Sequence, residues 1–205
     1  MSTIYIDGMD CSGKSTVVKL LKEWGAIDIA RKKTLSDYNP LLCSFKDMRA
    51  KFSWDSDEVS YALLSAILYD INHAIRYDET QRILQESILI TKGYCMLVSG
   101  GRKNQTVLEY FEKAFQLYPK FDYSFFVTVN KQERLERLKK RINKHEATLT
   151  KNDRLILENY EIFEKRNMSM QEVMTKRFHA IVIDSSEKIP EQVAKIIASH
   201  TNPPV

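Results

Sequence analysis

The residues best suited to chemistry in this 205-residue chain lie near its start, in the run Gly8-Met9-Asp10-Cys11-Ser12-Gly13-Lys14-Ser15. The spacing is GxxxxGKS, and each fixed position has a physical reason. Two glycines let the backbone wrap tightly and point successive N–H groups inward at phosphate oxygens. A helix opening at Lys14 adds unpaired donors and the positive end of its dipole. Lys14 brings a mobile point charge for β- and γ-phosphates, and the Ser15 hydroxyl is placed to bind Mg²⁺. The motif therefore predicts a triphosphate site for ATP with Mg²⁺, lined by Gly8, Asp10, Cys11, Ser12, Gly13, Lys14, Ser15 and Thr16. Cys11 sits where a thiol pKa tends to fall. Its modification is expected to block ATP, and ATP is expected to protect it better than Cys43.

A second chemical feature is the stretch from Lys131 to Arg154, with nine Lys/Arg and four Asp/Glu. That local surplus exceeds the whole chain's +4, so the remainder is slightly acidic. Glu133–Arg137 and Glu136–Lys140 are ordinary i,i+4 pairs, and they account for part of the charge. The rest suits a lid over phosphates. Phosphoryl transfer develops charge on equatorial oxygens, which arginines such as Arg137 and Arg141, one helical turn apart, can neutralise. A lid also excludes water. Asn130-Lys131-Gln132-Glu133 resembles a guanine-reading motif only loosely, with Glu for Asp and no separate DxxG, and reads as coincidence.

The elements that must position these groups alternate short β-type runs with helical patterns. Thr3–Asp7 is a strand, Lys14–Trp24 a helix, Ala26–Ala30 a weaker strand and Leu41–Lys51 a short helix. Asp57–Thr91 has apolar residues three to four apart and no internal Gly or Pro, which predicts a long helical segment, bent or broken around Tyr77–Thr80 and capped by Gly93. Tyr94–Ser99 then reads as a buried strand, followed by a Gly100–Gly101 turn. Thr106–Tyr118 is helical and Phe121–Val129 the clearest strand. Helices over Gln132–Arg141 and Asn152–Arg177, a strand over Ala180–Asp184 and a helix from Pro190 to Ser199 complete the pattern. Apolar strands alternating with helices predict an α/β fold, a parallel sheet covered on both faces. With no repeat or linker, residues 1–205 read as one domain, with the lid at about 141–152.

Composition excludes several classes. The 43% hydrophobic and 28% charged residues are those of a globular protein. A mild, localised charge gives no case for a nucleic-acid polymer as partner. The most apolar stretch, Val59–Ile75, is broken by Asp70, Asn72 and His73 and is too short for a membrane span. Three cysteines without a CxxC fit a reducing compartment. No basic-then-apolar leader is visible, and a cytoplasmic location is expected. His73 and His145 have no metal-ligating partners at suitable spacing. Tyr69, Asp70, Arg76 and Tyr77 read as packing residues more than as base-stacking ones.

Taken together, IDGMDCSGKST, ERLERLKKR (133–141), NDRLILENYEIFEKR (152–166) and VIDSSEKIPEQV (182–193) resemble, in order, four segments of the thymidylate kinase family. The resemblance implies a P-loop kinase fold with a five-stranded parallel sheet, ATP–Mg²⁺, a nucleotide or nucleoside acceptor, and often a homodimer. It implies ATP-phosphate and Mg²⁺ roles for Lys14 and Ser15, a contact to the acceptor sugar for Asp10, lid roles for Arg137 and Arg141, and an adenine loop at Ser185–Lys188, including Ser186. Two family motifs are missing. Arg-Glu-Pro-Gly has only Arg31 nearby. The Asp-Arg that follows the third strand is replaced by Ser99-Gly100-Gly101-Arg102, leaving Arg102 to do the arginine's work without an acid.

A hydroxyl acceptor benefits from a carboxylate base, whereas a phosphate acceptor mainly needs positive charge and alignment. Losing the acid favours a phosphate acceptor, although Asp7 and Asp10 remain as carboxylates. A nucleoside monophosphate kinase is the first expectation and a nucleoside or other hydroxyl kinase the second. A non-catalytic ATP-binding protein is the third.

Overall fold

Strand Ile4–Asp7 (β1) is buried at all four positions, so it lies inside the sheet. In the computed structural model it pairs in parallel with Ile83–Glu86 (β3) and with Tyr123–Thr128 (β4). Asp28–Ala30 (β2) extends the sheet beyond β3 and Ile181–Asp184 (β5) beyond β4, giving five parallel strands in the order β2-β3-β1-β4-β5. The structure describes residues 3–25, 28–30, 39–52, 56–74, 83–86, 88–99, 105–118, 120–145 and 149–201.

Successive strand residues face opposite sides of a sheet. Ile4, Ile6, Phe125, Val127 and Ile183 form one apolar cluster with Val17 and Leu21 of Lys14–Glu23 (α1) and Ile197 of Pro190–Thr201 (α9). Tyr5 and Phe126 join the other cluster, with Leu63, Ile90, Phe111 and Phe163. Those residues come from Asp57–Tyr69 (α3), Leu89–Ser99 (α4), Gln105–Leu117 (α5) and Tyr160–Phe178 (α8). Pro40–Lys51 (α2), Lys131–His145 (α6) and Lys151–Glu158 (α7) complete the helices described. The expected five-stranded parallel sheet with helices on both faces is present.

Polar side chains set the helix boundaries. The Asn39 side-chain oxygen caps α2, accepting from Leu41 N at 3.1 Å and Leu42 N at 3.2 Å. Its amide donates to the Ala66 carbonyl at 2.8 Å and to the Asp70 carboxylate, tying the start of α2 to the end of α3. Burial pushes the Asp70 carboxyl up to about 6, and the Asn39 bond opposes this. A capping box between Thr150 and Asp153 starts α7. Asn159 ends α7 and caps α8, dividing the helix expected over Asn152–Arg177.

The segment between Asp57 and Ser99 departs from expectation. The helix ends at Tyr69, a π-helical turn covers Asp70–Ala74, and Ile83–Glu86 forms the third strand. The sequence Ile-Leu-Gln-Glu has little intrinsic strand preference; pairing with β1 and β2 on both sides holds it extended. The expected strand Tyr94–Ser99 is the second half of α4, because a short apolar run suits a buried helix as well as a strand. Gly93 is therefore inside a helix and not a cap. The lost acid is corrected in the same way: β3 ends on a carboxylic residue, Glu86, opposite Ile6 of β1. Ser99 ends a helix, and Gly100, Gly101 and Arg102 lie outside the described residues, as does Arg31.

Gly93 allows α4 to approach α3 closely, since a Cβ there would lie 2.5 Å from Leu63 Cδ2. Alanine in place of a helix-interior glycine gains up to ~1 kcal/mol of propensity, but overpacking a filled core costs ~1–3 kcal/mol. Denaturant titration is expected to show Gly93→Ala less stable than the parent. The Gly93→Ala/Leu63→Ala double variant should exceed the additive expectation by at least ~0.5 kcal/mol. Strict additivity would contradict the contact.

Candidate functional site

The loop leaving β1 is shaped by close approach and by left-handed backbone. At Gly8 a Cβ would lie 2.3 Å from the Val127 carbonyl oxygen, so no other residue fits without moving β4. Cys11 (φ 62°) and Gly13 (φ 88°) take the left-handed conformation. The Gly13 carbonyl then accepts from Thr16 N and Val17 N, both at 3.1 Å, to start α1.

Two loop carbonyls are held by arginines of α6. Arg134 is fully buried; its guanidinium donates to the Asp10 carbonyl at 2.5 Å and the Val129 carbonyl at 3.2 Å, and lies 4.9 Å from the Phe163 ring centroid. Arg137 donates to the Ser12 carbonyl at 3.0 Å and to the Ser185 hydroxyl and carbonyl at 3.0 and 2.8 Å. Its Nε donates to Glu133 at 3.0 Å. The Ser185 hydroxyl also donates to the Ser12 carbonyl at 2.8 Å. With these carbonyls engaged, the loop is fixed to β4, β5 and α6 together.

Lys14 is aimed by a buried chain of polar groups. Its Nζ lies 3.6 Å from Asp7 Oδ1, which also accepts from Gly8 N at 2.7 Å. Asp7 Oδ2 accepts from the Tyr5 hydroxyl at 2.6 Å, and that hydroxyl meets Thr91 Oγ1 at 2.8 Å. Burial and the neighbouring Asp7 raise the Tyr5 phenol well above its usual value, so it stays protonated and donates.

A cleft of about 800 Å³ opens over the loop. Asp10, Cys11, Ser12, Gly13, Lys14, Ser15 and Thr16 line it, as do Arg137 and Arg141. Most of the residues singled out from sequence are thus brought together. Ser15 is exposed to the cleft at the first turn of α1. A hydroxyl there is the kind of hard oxygen ligand that Mg²⁺ takes when phosphates and waters supply the rest. The wall also contains Lys92, Lys140, Lys188, Ile189 and Pro190. Toward α7, Arg141 is paired with the buried Asp153, and Asn152 donates to the Asp10 carboxylate.

Other candidates are placed elsewhere. The Ser186 hydroxyl donates to Asp184 at 2.7 Å and accepts from Asn130 N at 2.8 Å, which fixes the turn after β5, and Ser186 is not on the cleft wall. Gly8 lies beneath the cleft, at the base of the loop. Asn130 is a helix cap, accepting from Glu133 N at 2.9 Å, which explains the loose guanine-motif match. Sequence reasoning missed Lys92 because Gly93 read as the cap of a preceding helix, which put Lys92 in a turn and the rest of α4 in a strand. It missed Arg134 because a basic helix reads as a solvated face; only the apolar neighbours Leu135 and Leu138 hinted that one side was buried.

Cys11 also differs from expectation. Burial raises its thiol pKa, Arg141 opposes the rise, and Asp10 adds to it. Cys43 is exposed. Iodoacetamide at neutral pH should therefore modify Cys11 no faster than Cys43, read by peptide mass mapping. Labelling of Cys11 several-fold faster than Cys43 would contradict the burial argument.

With this geometry in hand, a family model described as an AAA domain matches residues 4–161. No curated protein matches the chain. Among solved structures, thymidylate kinase from Candida albicans is similar with a TM-score of 0.68 at 15% identity, over 98% of this chain and 92% of that one. Deoxyadenosine kinase from M. mycoides, with products dCMP and dCDP bound, gives a TM-score of 0.62 at 17% identity over 98% of both chains. The same kinase with bound dATP gives 0.60 at 18% identity, over 98% of this chain and 99% of that one. The chain belongs to the AAA domain family of P-loop proteins and has the fold of the P-loop nucleoside and nucleotide kinases.

Proposed function

We propose that this protein is an ATP-dependent kinase that transfers the γ-phosphoryl group to the phosphate of a nucleoside monophosphate. The observation that carries this reading is the charge of the cleft wall: among the described residues it carries Lys14, Lys92, Arg137, Lys140, Arg141 and Lys188 against Asp10 and Glu133, with Asp7 and Asp153 paired to Lys14 and Arg141 behind it. A phosphate monoester carries roughly −1.5 to −2 at neutral pH, so this surplus suits a second phosphate-bearing substrate beside ATP.

In this reading the amides of the Gly8–Ser15 loop cradle the ATP phosphates and Lys14 holds the β/γ bridge. Ser15 holds Mg²⁺, which when bound supplies charge neutralisation on the phosphates. The adenine lies toward Lys188–Pro190. An oxygen of the acceptor phosphate attacks the γ-phosphorus, the bond to the β–γ bridging oxygen breaks, and ADP leaves with that electron pair. Arg137 and Arg141 offset the charge that develops. Arg141 exchanges Asp153 for phosphate as the lid at about 141–152 closes. Arg102, in the segment after α4, is a further arginine proposed for the acceptor. A single domain, a cytoplasmic location and a homodimer belong to the same proposal. No helix among the described residues is long and apolar enough to cross a membrane.

A hydroxyl acceptor is the second reading, favoured by one observation. Glu86 is the last residue of β3, one residue short of the level of Asp7 on β1, and a hydroxyl acceptor is the kind that benefits from a carboxylate base. Initial rates of ADP release over a panel of nucleosides and their 5′-monophosphates decide between the two. Turnover with monophosphates is expected, and turnover confined to nucleosides would overturn the first reading. Lys14→Ala should lower kcat/KM by at least ~100-fold. Full turnover in that variant would remove the loop from the reaction.

A further inference from the structure

Beside the cleft, on the Met9 side of the phosphate loop, a narrow throat runs between α4 and α8. Lys92 lines both the cleft and the throat, and Arg166 of α8 lines the throat. Apart from Asn152, the other walls are the sulfur-containing side chains of Met9, Cys95, Met96 and Met170. The volume of about 20 Å³ holds one water-sized group, such as a single phosphate oxygen.

The cations here differ from the arginines of α6 that flank the loop. Arg134 has two carbonyls and an aromatic face, Arg137 has Glu133, and Arg141 has Asp153. No ion pair or side-chain hydrogen bond joins Arg166 or Lys92 to any described residue, and Arg166 Nε is buried without a partner. Among the described residues no carboxylate lines the throat. Burial lowers the Arg166 pKa, while an arginine keeps its charge in proteins. A half-buried cation without a counter-charge among the described residues is costly, and an anion at the throat mouth offsets that cost. Burial also raises the Cys95 thiol pKa, so the sulfur lining stays neutral and does not compete for the cations.

We infer that Lys92 and Arg166 form the subsite for the acceptor's phosphate, with one phosphate oxygen entering the throat toward Arg166 and the others meeting Lys92. The inference rests on the monophosphate-kinase reading. It adds that the positive charge gripping the acceptor comes from the facing sides of α4 and α8, so Lys92 and Arg166 set the preference for a phosphate over a bare hydroxyl.

The test uses the full chain saturated with AMPPNP, titrated calorimetrically with the four 2′-deoxynucleoside 5′-monophosphates and with the corresponding nucleosides. Lys92→Met and Arg166→Met should each weaken monophosphate binding at least ten-fold. Nucleoside binding and the KM for ATP should change less than two-fold, and Arg166→Lys should fall between parent and Met variant. Monophosphate affinity within two-fold of the parent in both Met variants would overturn the subsite. Equal weakening of nucleosides and monophosphates would overturn it too, since that is a structural effect. Lys92 is half-exposed on one helix, so Lys92→Met carries the test if Arg166→Met fails to fold. The two proposals fail separately. Selective loss of monophosphate binding in the variants, with no turnover by the parent, refutes the reaction and keeps the subsite. Turnover of monophosphates with unchanged acceptor KM in both variants refutes the subsite and keeps the reaction. No monophosphate binding by the parent at millimolar concentration refutes both.

Discussion

Two backbone carbonyls, those of Asp10 and Ser12, are held by Arg134 and Arg137 from one face of a single helix. A peptide unit fixes its N–H once its C=O is fixed, so this clamp determines where the loop's donors point. A loop of eight residues carrying two glycines has large conformational freedom, and ordering it costs roughly 1–2 kcal/mol per residue. Charge-assisted bonds to the carbonyls, each worth roughly 1.5–3 kcal/mol, offset part of that cost before any phosphate arrives. The fold serves the clamp: parallel pairing of β1, β4 and β5 brings the loop, Val129 and Ser185 to one edge, and α6 starts there with both arginines facing inward.

The same economy explains the α7 side. Arg141 and Asp10, two ionic groups of the cleft wall, already have partners in Asp153 and Asn152. Both partners sit in the first turn of α7, whose start is fixed by the Thr150–Asp153 capping box. In the proposed reaction, exchange of these contacts for contacts to phosphate couples substrate arrival to the position of one short helix. Lys92 and Arg166, by contrast, have no such partners among the described residues, which in the proposed reading separates an acceptor side of the cleft from the α7 side.

Much of this was legible in the sequence, and for identifiable reasons. The phosphate loop was readable because its glycines answer to backbone geometry: Gly8 to the Val127 carbonyl and Gly13 to a left-handed φ. Strands β4 and β5 were readable as apolar runs between turn residues. Strand β3 was not, because Ile-Leu-Gln-Glu follows a helical pattern without Gly or Pro and is extended only through neighbours distant in sequence. That single misreading moved the third strand to Tyr94–Ser99, put Arg102 at a strand end, hid Glu86, and concealed that Lys92 faces the cleft. Arg134 was hidden differently: composition shows a charge, and only packing shows that it is buried.

The clamp is tested most directly by Arg134→Met, which keeps side-chain bulk against Phe163 and removes the donors to the Asp10 and Val129 carbonyls. Amide hydrogen exchange of residues 8–13 and calorimetric binding of AMPPNP are measured on the same protein. The account predicts at least ten-fold faster exchange confined to the loop and at least ten-fold weaker AMPPNP binding, with the exchange of β1 and β4 unchanged. Loop exchange and AMPPNP affinity equal to those of the parent would contradict it.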